Sequence, residues 1–136
     1  YYISNIKFII VEGIIIIDDN EINNYVCKTL IKNVDNNVRV TCFTKSTEAL
    51  SDLSSKELNP KTTILLDLDI PEMDGWEFLK LFSKKKPKCN IFILSSSQNP
   101  ADVETANNNP YVSGFFSKPL TIETINSVLN NTYSNQ

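Results

Sequence analysis

The sequence predicts an α/β fold: a doubly wound, five-stranded parallel sheet in the order 2-1-3-4-5, with five helices on its two faces. Three observations carry that expectation. Apolar, β-rich runs alternate with helical patterns along the whole chain. Two of the runs lack polar alternation, as strands covered on both faces should. The polar residues best suited to chemistry fall where these runs end, which is where open α/β sheets place their sites.

The strands are expected at Gly13 to Ile17, Val38 to Phe43, Thr62 to Leu66, Asn90 to Leu94 and Ser113 to Phe116. The first and third are the runs without polar alternation and so belong at the centre, with the switch in strand order between them. Helical spacing joins Ile22, Val26, Thr29 and Leu30, then Ala49, Leu50 and Leu53, then Trp76, Leu79 and Phe82. Asp74 with Glu77 forms a capping box opening the third helix, where Trp76 and Phe78 read as packing residues. A weaker fourth pattern follows Pro100 through Val103 and Ala106 and closes at Asn107 to Asn109 and Pro110. The last carries Ile122, Ile125, Val128 and Leu129.

A chain of 136 residues with 41% hydrophobic and 21% charged residues is sized and composed for one globular domain. That domain is expected over residues 13–133. Residues 1–12 read as an N-terminal extension or a remnant of cloning, since the first residue is not Met. The net charge of -3 argues against a nucleic-acid surface. The one basic cluster, Lys84, Lys85, Lys86 and Lys88, suits the cation-rich end of a helix. Lys7 and Glu12 interrupt the apolar stretch from Ile6 to Ile17, which is shorter than the roughly 20 residues a spanning helix needs. Three cysteines, Cys27, Cys42 and Cys89, without a CxxC pair suggest neither a disulfide framework nor a zinc site. Cys27 and Cys42 lie in apolar patterns and read as small core residues, consistent with a reducing, cytoplasmic setting.

Chemistry gathers at the run ends. Asp67 closes Thr63-Ile64-Leu65-Leu66, where a carboxylate needs a partner, a hydrogen bond or a metal. Asp18 and Asp19 close the neighbouring run, in IIIIDDN. Three carboxylates at adjacent strand ends repel one another. A hard divalent cation such as Mg²⁺ resolves that conflict with oxygen ligands. Read alone, the Asp18-Asp19 pair would equally suit helix capping. Ser95 follows the fourth run and Lys118 the fifth, a hydroxyl donor and a point charge of the kind a phosphoryl group needs.

In their order and spacing DD, DLDIPEMDG, LSS and GFFSKP resemble the response-regulator receiver domain of two-component signalling, from about Gly13 to Tyr133. The extent is similar to that of the small free-standing chemotaxis-type regulators, whose fold is flavodoxin-like. The resemblance implies that Asp67 is the phosphoacceptor, taking a phosphoryl group from a phosphohistidine donor or a small molecule. It implies that Asp19, Asp67 and the backbone carbonyl of Asp69 ligate Mg²⁺, with Asp18 helping directly or through water. Lys118 would pair with Asp67 before transfer and with the phosphoryl group after it. Ser95 would hydrogen-bond the phosphoryl group, and Phe115 would be the aromatic whose rotamer follows. The peptide bond before Pro119 is typically cis in such domains.

Asp69, Ser96 and Ser97 occupy variable places near the phosphoryl site and are expected to modulate the lifetime of the phosphorylated state. The implied partners are a sensor histidine kinase or histidine phosphotransfer protein and an output protein, with neither nucleic acid nor membrane. The chain has no histidine, so it is not itself a phosphohistidine donor. Only Ser134, Asn135 and Gln136 follow the last helical pattern, so output is expected through a protein contact, either from a free-standing regulator or from a receiver that is a piece of a larger hybrid protein. The only chemistry expected of the chain itself is gaining and losing its own phosphoryl group.

Two alternatives compete. Asp67-Leu68-Asp69 also resembles the DxD of haloacid-dehalogenase-type phosphohydrolases, but in those the acidic pair follows that motif and here it precedes it. A receiver used only for docking would be expected to have lost Asp67, Asp19 or Lys118. A flavodoxin-like cofactor binder would want a Gly- and hydroxyl-rich loop where IIIIDDN stands.

Overall fold

The computed structural model of the chain describes residues 10–97 and 99–134. Its elements alternate as β1 (Ile10–Ile17), α1 (Glu21–Val34), β2 (Val40–Phe43), α2 (Ser46–Ser54), β3 (Glu57–Leu66), α3 (Gly75–Ser83), β4 (Asn90–Ser95), α4 (Pro100–Asn107), β5 (Gly114–Ser117) and α5 (Ile122–Ser134). The five strands form one sheet in the order β2-β1-β3-β4-β5, with every neighbouring pair parallel. This is the predicted flavodoxin-like architecture.

The centre of the sheet is apolar on both sides because its strands carry no polar alternation. Ile14, Ile16 and Leu65 face α1 and α5, where Cys27, Ile31, Ile125 and Val128 complete the layer. Ile15, Ile17, Ile64 and Leu66 face α2, α3 and α4, packing with Ala49, Leu53, Phe78, Phe82 and Ala106. Each such aliphatic side chain contributes about 1.5–3 kcal/mol by leaving water. Phe115 and Phe116 split between the two layers: Phe116 stacks on Phe92 at 5.3 Å on the α1 and α5 side, and Phe115 packs into the other core.

Every strand differs from the sequence reading at one end or both: β2 starts at Val40, β4 runs on to Ser95, β5 lies one residue later at Gly114–Ser117, and the larger changes are in β1 and β3. β1 begins at Ile10, where Ile10 and Val11 pair with Glu57 and Leu58 across an irregularity at Gly13. Gly13 has φ +108, and a side chain there would land on the carbonyl oxygen of Arg39. β3 correspondingly reaches back to Glu57 through polar residues and Pro60, which hide its period. Cys42 is exposed on the edge strand β2, against the expectation of a core residue, whereas Cys27 is buried as expected. Residues 1–9 lie outside the described part.

Candidate functional site

The site stands at the C-terminal ends of the strands, and backbone hydrogen bonds there fix each side chain's origin. Asp67 N donates to Ile17 O at 2.9 Å and Asp18 N to Phe43 O at 3.0 Å, carrying the sheet pattern one residue past the strands. Lys118 N donates to Ser95 O at 2.9 Å, tying the end of β5 to the end of β4. The Lys118–Pro119 peptide is cis.

Asp18, buried at 2% exposure, is the most enclosed carboxylate of the group. Its Oδ1 accepts the amide of Asn20 at 2.9 Å, its Oδ2 accepts Nδ2 of Asn23 at 2.9 Å, and its backbone oxygen accepts Nδ2 of Asn24 at 2.8 Å. The cap of α1 is Asn20, whose side chain accepts the Asn23 amide. The N-cap of α1 is thus neither Asp18 nor Asp19, although the Asp18 carboxylate does accept hydrogen bonds from the start of that helix. Sequence reasoning missed the three asparagines. The signal was the run DDNEINN, in which short amides at a helix start can turn back on the preceding acid.

Lys118 bridges the two strand-end acids. Its Nζ is 2.6 Å from Asp18 Oδ2 and 3.5 Å from Asp67 Oδ2. Burial works against the ammonium, but the hydrogen bond and charge of Asp18, with help from Asp67, hold it above the usual lysine value. Burial first, and then the charge of Asp18, push the Asp67 carboxyl above its usual range, while Lys118 pulls it back. Asp67 is 5% exposed.

Asp19 is exposed, yet one carboxylate oxygen from each of Asp18, Asp19 and Asp67 lies within 4.8 Å of the others. The three acids meet a single ammonium among the described residues, so two negative charges stay uncompensated when all are ionised. This all-oxygen, electron-rich donor set fits a hard divalent cation.

The loop after Asp67 wraps closely over it. Gly75 N donates to Leu68 O at 2.9 Å, and a Cβ on Gly75 would land on the carbonyl oxygen of Asp67, so α3 can approach only with glycine at that position. Asp74 caps α3 by accepting the Glu77 amide at 2.9 Å. Asp69 is exposed, and its amide makes a long 3.5 Å contact to Asp67 Oδ1. Ser95 is fully buried, and its hydroxyl accepts the Ser97 amide at 3.0 Å. That contact is an ST-turn, while the cap of α4 is Asn99.

The family model described as the response regulator receiver domain matches residues 14–130. The chain belongs to that family. Among solved structures, this receiver domain is similar to a two-component response regulator from Cytophaga hutchinsonii, with a TM-score of 0.80 and 26% identity over 91% of this chain and 98% of that one. A response regulator receiver protein from Dyadobacter fermentans follows at 0.77 and 25%, over 90% and 98%. A chemotaxis protein from Vibrio cholerae shares the fold at 0.73 and 19% identity, over 90% and 98%. No curated protein matches the sequence closely enough to count as a relative.

Around the receiver site, Ser96 is exposed and Ser97 half-buried, and Phe115 is half-buried against the core that holds Ala106 of α4. Burial first, and then the charge of Asp18, push the Cys27 thiol up to about 11 against the pull of Lys118, and burial pushes Cys89 up to about 12. No helix among the described residues is long and apolar enough to cross a membrane.

Proposed function

We propose that this receiver accepts a phosphoryl group on Asp67 from a phosphohistidine of a sensor kinase or histidine phosphotransfer protein. The observation that carries the reading is the enclosure of Asp67: a buried carboxylate 3.5 Å from the Lys118 ammonium, with two further acids within 4.8 Å. An Asp67 carboxylate oxygen attacks phosphorus in line as the bond from phosphorus to the donor nitrogen breaks, and that electron pair leaves with the imidazole. Lys118 then turns from the carboxylates toward a phosphoryl oxygen, and Ser95 donates its hydroxyl proton to another.

Asp18, Asp19 and Asp67, with the backbone carbonyl of Asp69, are the residues that would hold Mg²⁺. When bound, the cation neutralises charge on the transferring group. Ser96, Ser97 and the Asp69 side chain flank the product and set access for hydrolytic water. Phe115, packed toward α4, carries the change to a protein partner on the surface of α4, β5 and α5. Such a role suits a cytoplasmic domain whose only chemistry is on itself.

The presence of Asp67, Asp19 and Lys118 together speaks against a docking-only role. An acidic pair on the strand before Asp67 speaks against the phosphohydrolase. The test is incubation with Mg²⁺ and a small acyl phosphate. The expected product is a hydroxylamine-labile mass gain of one phosphoryl group, absent in Asp67→Asn. An equal gain in that variant would overturn the assignment, and repeated turnover of a phosphate ester would favour the hydrolase.

A further inference from the structure

A hydrogen-bond path leaves Ser95 at the end of β4 and ends on Trp76 of α3. The Ser95 hydroxyl accepts the Ser97 amide at 3.0 Å. The Ser97 hydroxyl accepts the Asn99 amide at 3.2 Å and donates to Asp102 Oδ2 at 2.6 Å. The other oxygen of that carboxylate, Asp102 Oδ1, accepts Nε1 of Trp76 at 3.3 Å. Asp102 stands in the first turn of α4 and Trp76 near the start of α3, so one carboxylate joins the β4–α4 loop to both helices. A charged acceptor makes these bonds stronger than neutral ones.

We propose that Asp102 is a positioning residue. It latches Ser97, and through the Ser97 amide the Ser95 hydroxyl, in the arrangement of the unphosphorylated chain, with Trp76 as the second anchor. The inference rests on the reading of Ser95 as a phosphoryl-binding hydroxyl. For Ser95 to turn toward Asp67, its bond from the Ser97 amide must lengthen or the loop must follow. The loop can follow freely only when Ser97 leaves Asp102. The latch thus opposes phosphorylation, and its opening changes the surroundings of the indole. Both the phosphoryl site and the start of α3 bias the same two-state loop.

Trp76 is the sole tryptophan, so its emission reports this junction alone. The experiment treats the wild type, Asp102→Ala and Trp76→Phe with Mg²⁺ and a small acyl phosphate. It follows aspartyl-phosphate formation by intact mass, indole emission in the two tryptophan-containing proteins, and the urea midpoint of each. In the wild type, emission should shift in step with the mass gain. In Asp102→Ala the initial rate should rise about fivefold, the scale of one net hydrogen bond, and the emission shift should vanish. Trp76→Phe should raise the rate in the same direction, which keeps the test available if Asp102→Ala folds poorly.

Phosphorylation of the wild type with unchanged emission would overturn the latch alone. So would an emission shift that persists in Asp102→Ala, or a lowered urea midpoint with an unchanged rate in both variants. No phosphoryl gain in the wild type would instead remove the phosphoacceptor reading of Asp67, and the latch with it.

Discussion

Lys118 lies nearer to Asp18, at 2.6 Å, than to Asp67, at 3.5 Å, so the ammonium at the end of β5 is anchored on one acid and poised over another. That asymmetry leaves the Asp67 oxygens less encumbered than those of Asp18. A nucleophile held in a full ion pair would have to break it before reacting. Here the stronger contact falls on the acid that the proposal does not ask to attack.

Lys118→Ala should therefore damage both chemistry and folding. Loss of the point charge is expected to slow phosphoryl transfer by about 10²–10³-fold, the usual scale for one electrostatic stabiliser. Leaving the buried Asp18 without its cation should cost about 1–3 kcal/mol. Initial labelling rates and urea unfolding at pH 7 measure the two effects separately.

Asp67→Asn should stabilise the protein at neutral pH when divalent cations are chelated. The folded-state pKa of Asp67 is raised. Between the ordinary aspartate value near ~3.9 and that raised value, the folded chain holds more protons than the unfolded one, so stability falls as pH rises through the window. Asparagine removes this penalty above the window and brings no gain below it. Urea midpoints at pH 3 and pH 7 in EDTA check the sign, and an equal gain at both would trace the effect to packing.

Mg²⁺ should raise the melting temperature through the acidic cluster. At about 100 times its dissociation constant a cation adds about 2.7 kcal/mol. Asp19 is exposed, so Asp19→Asn should change metal-free stability by less than about 0.5 kcal/mol and still lose most of the cation's effect. Thermal melts of both proteins with and without Mg²⁺ decide it, and equal gains would place the cation elsewhere.

Gly75→Ala should cost about 1–3 kcal/mol, because the added methyl meets the backbone of Asp67 and Leu68 and not a flexible side chain. Displacing that backbone should also slow labelling of Asp67. Chemical unfolding together with the labelling rate would show the two losses appearing in one variant.

The strand ends were legible because their signal is local: an apolar run that stops at a charged or hydroxyl residue needs no knowledge of its neighbours. Asp18 and Asp67 meet because β1 and β3 are neighbours, whereas Lys118 follows the rim strand β5 and its long side chain reaches both acids past β4. What stayed hidden depends on contacts between distant segments. The lower half of β3 carries Asn59, Pro60 and Lys61, whose polarity masks a strand that gains its partner only from Ile10 and Val11. Trp76 read as a packing residue, and its indole does pack on the core, but its N–H reaches Asp102 across 26 positions. Cys42 shares an apolar run with buried residues yet lies on the rim, where one side of the strand has no neighbour.

The sheet places its longest strands inside and its shortest outside: β1 has eight residues and β3 ten, whereas β2 and β5 at the two rims have four each. A rim offers unpaired amide and carbonyl groups to any passing strand, and proteins commonly guard it with charge, proline or brevity. Neither VTCF nor GFFS carries a charged residue or a proline, so brevity is the guard here. A four-residue template offers an incoming chain too few hydrogen bonds to offset the ordering of that chain.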